Sequence, residues 1–210
     1  MVISVVPGGR TAESVVAVVE DFKRRTGGRL MDLITTDGYP AYAEAILDAY
    51  GETITPPRTG KRRRPKAPFK VAPQGLTYAV VEKTREKGRV VSIATRVVFG
   101  TMAAVIAALG MSKVSRAINT SFLERQNGTD RHRNARKARK TYRFSKYWRH
   151  HEAATYLTMY VYHFCWPVRT LRIKDEQGRW QQRSPAMAAG VADHLWSIPE
   201  WLAFPSVQRR

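Results

Sequence analysis

The 210-residue chain has a single cysteine, Cys165, so it can form no internal disulfide. It sits in an aromatic run, where a small buried residue is expected. There is no uninterrupted stretch of about eighteen apolar residues, which argues against a membrane-spanning helix. A basic leader running into an apolar segment and a cleavage site is also missing, and a soluble cytosolic protein is expected. The histidines His132, His150, His151, His163 and His194 show neither an i, i+4 pair around a glutamate nor a cysteine partner, which argues against a zinc hydrolase. Pro7-Gly8-Gly9 precedes a helical pattern without a following lysine-serine pair, so the chain has no phosphate loop, and it has no Gly-x-Ser-x-Gly elbow either. No internal repeat is visible.

Acid is scarce as well. Asp and Glu number 17 against 36 Lys and Arg, a formal charge of +19, which favours a polyanionic partner. Charge alone does not choose among DNA, RNA and a membrane surface. A hydrophobic fraction of 43% is enough for a real core, most simply one domain with an appended tail.

Val2 to Val6 is a β-branched run broken by Pro7-Gly8-Gly9 and reads as a strand. From Thr11 to Arg25, Ala12, Val15, Val18, Val19 and Phe22 recur at helical spacing. Thr11 is placed as the cap, Lys23 to Arg25 lie in the last turn and Gly27-Gly28 follow as the stop. Leu30 to Thr36 reads as a buried strand closed by Asp37-Gly38, and Ala43, Ile46, Leu47 and Tyr50 give the next helix its stripe. Strand, helix, strand, helix argues for an α/β fold with parallel strands, whose functional side chains gather at the strands' carboxyl ends. Asp37 occupies such an end.

Residues 56–75 are rich in proline and cation, with Lys61 to Lys66 at their centre, and read as an exposed basic loop. Leu76–Val81 and Arg89–Phe99 look like strands of a hairpin around Lys87-Gly88, and Thr101–Leu109 like an Ala-rich helix ended by Gly110. Glu124 then opens a segment expected to be one helix, with Glu124, Arg131, Ala135, Ala138 and Tyr142 on one face. Between Arg125 and Arg149 ten Lys or Arg face one acid, Asp130, and that self-repulsion favours phosphate as a counter-charge. His150–Trp166 is the opposite, a helix whose stripe of Ala153, Leu157, Tyr160, Val161 and Phe164 is expected to pack on the sheet. Trp148 beside His150-His151 suggests a surface contact. The tail from 169 to 210 reads as short irregular pieces.

Two carboxylates on separate elements, Asp37 and Glu124, set against so much cation, suggest metal-assisted chemistry on phosphodiesters, because paired divalent ions can align a nucleophile and stabilise the leaving oxygen. Oxygen ligands of this kind favour Mg2+ or Mn2+. The bland alternatives are that Asp37-Gly38 is a turn pair and Glu124 a solvated residue answering the helix dipole.

Five blocks in order resemble the DDE-type insertion-sequence transposases, in the branch related to the smallest bacterial insertion sequences. They are Ile34-Thr-Thr-Asp37-Gly-Tyr39 with Tyr42, Asn119-Thr-Ser-Phe-Leu-Glu124-Arg-Gln-Asn127, Arg139-Lys-Thr-Tyr-Arg-Phe-Ser145-Lys146, Tyr162-His-Phe-Cys165, and Ser184-Pro-Ala-Met187-Ala-Ala-Gly190. The resemblance implies a truncated ribonuclease H-like core over 1–168, with a mixed sheet flanked by helices, and a tail over 169–210 packing on it. Asp37 and Glu124 would be its second and third acidic residues and bind Mg2+ or Mn2+. Arg131, two helical turns beyond Glu124, would contact DNA, and Arg125 and Asn127 belong to the same motif. The cationic run adds Arg136, Arg139, Lys140, Arg143 and Lys146 to the expected DNA contacts. The implied partners are transposon ends and target DNA, with a homodimer in the DNA complex as an arrangement the family allows, in the nucleoid of a bacterial cytoplasm. In family terms hydrolysis frees a 3′-hydroxyl and strand transfer joins it to target DNA.

The family's first aspartate would fall upstream of the segment matching Val2–Val6, and this chain has no acid before Glu13. The expectation is therefore a C-terminal catalytic-region fragment that keeps DNA affinity and has impaired phosphoryl transfer, since two carboxylates under-ligate the cations. The rivals are a non-catalytic basic nucleic-acid-binding module and, ranked below it, a structural RNA-associated protein.

Overall fold

The computed structural model describes residues 3–9, 11–57, 66–112, 115–118, 121–138 and 140–204. In chain order the elements are α1 (Ala12–Arg25), β1 (Ile34–Asp37), α2 (Ala41–Tyr50), β2 (Glu52–Ile54), β3 (Phe69–Val71), β4 (Tyr78–Glu86), β5 (Arg89–Phe99), α3 (Met102–Met111) and α4 (Ser121–Arg133). They continue with α5 (Trp148–Cys165), β6 (Ile173–Lys174), β7 (Trp180–Gln181), α6 (Pro185–Ala188) and α7 (Ile198–Ala203). The chain is a mixed α/β protein. Contacts divide it into two compact units, Gly8–Arg125 and Met1–Pro7 with Gln126–Arg210.

In the first unit, α1 begins where Thr11 Oγ1 accepts from the Ser14 amide at 3.3 Å and ends where Gly28 N donates to Lys23 O at 2.8 Å. Gly27 and Gly28 take φ of 62° and 76°, the left-handed region that glycine enters without steric penalty. Val15 and Val19, one turn apart, are buried with Ala45 and Ile46 of α2 against Leu76, Tyr78 and Val80. Fully burying a side chain such as Ile46 or Leu76 contributes about 1.5–3 kcal/mol.

The sheet has three strands in the order β1-β4-β5. β1 runs parallel to β4, with Asp37 opposite Val81, and β4 pairs antiparallel with β5. The hairpin turn is Lys87-Gly88, both at positive φ (47° and 79°), as a two-residue turn that follows the strand twist requires. Tyr78 and Val80 face α1 and α2, and Tyr78 Oη meets Thr36 Oγ1 at 2.7 Å. Alternation turns Ala79 and Val81 to the opposite face, and both are buried there.

Several expectations are corrected. Ile3–Gly9 forms neither helix nor strand, so the opening β-branched run is not a sheet member among the described residues. Among the described residues only β1 and β4 are parallel, and β1 is a short, half-exposed edge strand. The segment 56–75 is not all loop, since β3 lies in it and pairs with β2, while 58–65, with Lys61 to Arg64, lies outside the described residues. Gly110 does not end α3, which runs to Met111.

In the second unit, α5 buries Thr155, Met159 and His163, while Ala153 and Leu157, expected in the packed stripe, are exposed. Its recorded neighbours are α6 and α7, and tail residues Ser184 and Ala186 are fully buried. Trp201 stacks on Tyr160 with centroids 6.4 Å apart, and Trp196 N donates to Phe164 O. Aromatic packing thus seats the tail's short pieces on α5. Cys165 is half-buried instead of buried, and that burial raises its thiol pKa. No helix among the described residues is long and apolar enough to cross a membrane.

Candidate functional site

Asp37 closes β1 and is exposed. In a parallel pair, partnered residues point to the same face, so Asp37 shares a face with Val81 and, two residues on, with Lys83. Standard spacings set Asp37 about 4.8 Å from β4 across the sheet and Lys83 about 7 Å further along. Lys83 Nζ donates to Glu124 Oε1 at 2.7 Å. Independent geometry agrees: Thr35, on the Asp37 face, and Phe122, in the same turn of α4 as Glu124, line one cleft of about 370 Å³ together with Ala108 and Leu109 of α3. The Asp37 face of β1 therefore borders the cleft that the end of α3 and the start of α4 line.

By donor chemistry this face suits a hard cation, since carboxylate oxygens are what Mg2+ and Mn2+ prefer. The donors are few. One Glu124 oxygen is occupied by the Lys83 ammonium, and no three His, Cys, Asp or Glu side chains gather among the described residues. Glu82, the nearest acid along β4, points to the other face by alternation and pairs with Arg96 at 2.7 Å. Any cation held by Asp37 and Glu124 would compete with the Lys83 ammonium for the Glu124 carboxylate. At 26% and 62% side-chain exposure the Lys83–Glu124 pair is a surface bridge, worth about 0–1 kcal/mol.

The cationic segment is not the single helix expected. α4 ends at Arg133, Asn134 Oδ1 accepts the Arg136 amide at 3.1 Å to start a short 3-10 turn at Ala135–Lys137, and Lys140 takes φ 52°. Ala135, Ala138 and Tyr142 therefore share no helical face with Glu124. An asparagine whose side chain satisfies the backbone locally competes with helix, and here it does so among closely spaced cations. α4 itself carries Glu124 in its first turn and Arg131 in its last, and buries no residue.

All the described members of the predicted DNA-contact set are exposed: Arg125, Asn127, Arg131, Arg136, Lys140, Arg143 and Lys146. Arg139 lies outside the described residues. Asp130, the acid inside the run, is engaged by Lys137 at 2.7 Å. Arg133 is different in kind: its guanidinium stacks 3.6 Å from the Trp166 ring centroid and 5.1 Å from that of Tyr162, and burial lowers its pKa. It anchors α4 to the end of α5.

Sequence reasoning missed Lys83, which only the β4 register connects to Glu124. It also gave no role to the rings Tyr142, Phe144 and Tyr147, although their alternation with cations was visible in the chain.

No protein-family model, curated protein or solved structure matches this chain.

Proposed function

We propose that the chain is a transposase-like DNA-binding protein with a ribonuclease H-like core whose phosphoryl-transfer chemistry is impaired. The observation that carries this reading is the run of exposed cations Arg131, Arg136, Lys140, Arg143, Lys146 and Arg149, in a stretch whose one acid, Asp130, is paired with Lys137. Exposed cations at that density bind a polyphosphate by releasing its counterions. The helix-flanked mixed sheet, with an acid at the carboxyl end of its parallel edge strand, supports the finer fold assignment.

Asp37 and Glu124 are the residues that would hold Mg2+ or Mn2+. Bound there, a divalent ion would polarise a phosphodiester and generate a nucleophile. With two carboxylates, one of them neutralised by Lys83, the chain supplies a weak site, and this is why catalysis is impaired. The same ion pair favours the second reading, a non-catalytic basic nucleic-acid-binding module. On the first reading the partner is DNA, in the bacterial nucleoid; on the second it is a nucleic acid.

Binding of duplex DNA, followed by fluorescence anisotropy between 50 and 300 mM salt, tests the reading. The slope of log K against log salt is expected to be roughly −4 to −6 and to shrink by about 0.9 in Arg131→Ala or Arg136→Ala. A slope near zero overturns it. Manganese-dependent nicking lost in Glu124→Ala would decide for the enzyme over the binding module.

A further inference from the structure

Between Lys140 and Arg149 the chain alternates rings with cations. Tyr142 is 100% exposed, and Phe144, Tyr147 and Trp148 are 59, 63 and 57% exposed. Four large aromatic side chains within seven residues, none of them buried, make no core contribution. Lys140, Arg143, Lys146 and Arg149 are exposed beside them, with no acid in the stretch.

The segment is held in place. Arg143 N donates to Thr141 Oγ1 at 3.0 Å, and Arg136 Nη1 donates to Ser145 Oγ at 3.2 Å. Tyr147 packs edge-on to His150 at 5.5 Å, and Trp148 stacks on His151 at 5.4 Å and 30°. It leads into the start of α5, where the His150 and His151 amides donate to the Tyr147 carbonyl at 3.1 and 3.3 Å.

We infer, resting on the nucleic-acid reading above, that residues 140–149 form a platform for unpaired nucleic-acid strands: the rings stack on exposed bases while the cations follow the phosphates. Duplex DNA offers phosphates but keeps its bases stacked internally, so a fully exposed Tyr142 gains little from it. A single strand offers both surfaces, and stacking is sequence-tolerant because every base has a π-face. The stretch contains no Asn, Gln, Asp or Glu, the side chains that with Arg read base edges, so little sequence preference is expected. A membrane surface also accepts rings and cations, but interfacial segments bring aliphatic side chains, and 140–149 has no Leu, Ile, Val or Met.

The test uses the full chain, a 15-nucleotide oligothymidylate and a duplex of equal length at one salt concentration. Tyr142→Ala is expected to weaken single-strand binding roughly 5- to 100-fold while duplex affinity and the salt slope stay within about twofold. Arg143→Ala is expected to weaken both and to reduce the slope. Because Tyr142 has no packing to lose, the variant folds as the parent does. Equal losses on both nucleic acids, or no loss on the single strand, would overturn the platform and leave the duplex reading intact. Failure of the parent chain to bind either would sink both. Co-sedimentation with phosphatidylserine-containing vesicles, abolished by Tyr142→Ala when oligothymidylate binding is not, would assign the rings to a membrane instead.

Discussion

α4 and α5 follow each other in the chain and are stabilised in opposite ways. α4 buries nothing over thirteen residues, whereas α5 buries Thr155, Met159 and His163 at successive turns. α5 is held by what packs on it, namely α6 and α7, with Trp201 of α7 on Tyr160 and Trp196 on Phe164. α4 persists because Glu124 sits at its amino end, Arg131 to Arg133 at its carboxyl end, and Arg133 is clamped by Trp166. The lesson is a division of labour: a helix without buried residues keeps exposed side chains such as Arg131 for a ligand, and substitutions there, away from the Arg133 anchor, should change binding without changing stability.

The sharpest way to break that contrast is to truncate each helix. Met159→Ala should lower unfolding free energy by about 2–5 kcal/mol in urea titration. Arg131→Ala should stay within about 0.5 kcal/mol of the parent while losing DNA affinity. Comparable stability losses from both would end the distinction.

Acid titration probes α5 further. Burial holds His163 down at about 4, against an ordinary 6.5. Below pH 6.5 the unfolded chain takes up a proton that the folded chain refuses, so stability falls between pH 6.5 and 4 and levels off below. The loss should approach about 3 kcal/mol and vanish in His163→Gln. His194 works the other way: hydrogen bonds that its ring donates to the Glu200 and Asp193 carboxylates raise its pKa. Its contribution is complete below 6.5 and lost as pH rises through the raised value.

The smallest effect is expected at the start of α4. Breaking the surface bridge with Lys83→Met should change stability by less than about 1 kcal/mol. It should also free Glu124 and tighten Mn2+ binding, read by the ion's paramagnetic relaxation of water. Unchanged Mn2+ binding would mean that Lys83 does not compete for the carboxylate.

Much of the fold was legible because its signals are local. Thr11, the Val15–Val19 spacing and Gly27-Gly28 write α1 within one turn at each end, and Lys87-Gly88 writes the hairpin. β2 and β3 were not legible, since three-residue strands that pair only with each other carry no period. The expected cationic rod failed at Asn134, whose side chain bonds backbone just where charge density disfavours a longer helix. The α5 stripe was shifted because Thr155 and His163, polar by type, occupy the face that packs.

By itself the sequence determined the caps, the helix periods, the hairpin turn and the excess of cation, all of which depend on neighbours a few residues apart. Only the tertiary structure decided that Asp37, Lys83 and Glu124 share one sheet face, that Arg133 is an anchor while Arg131 is exposed, and that four rings stay in solvent. Those outcomes depend on strand register and on which helix covers which face, and such long-range pairings leave no mark in the local spacing of residues.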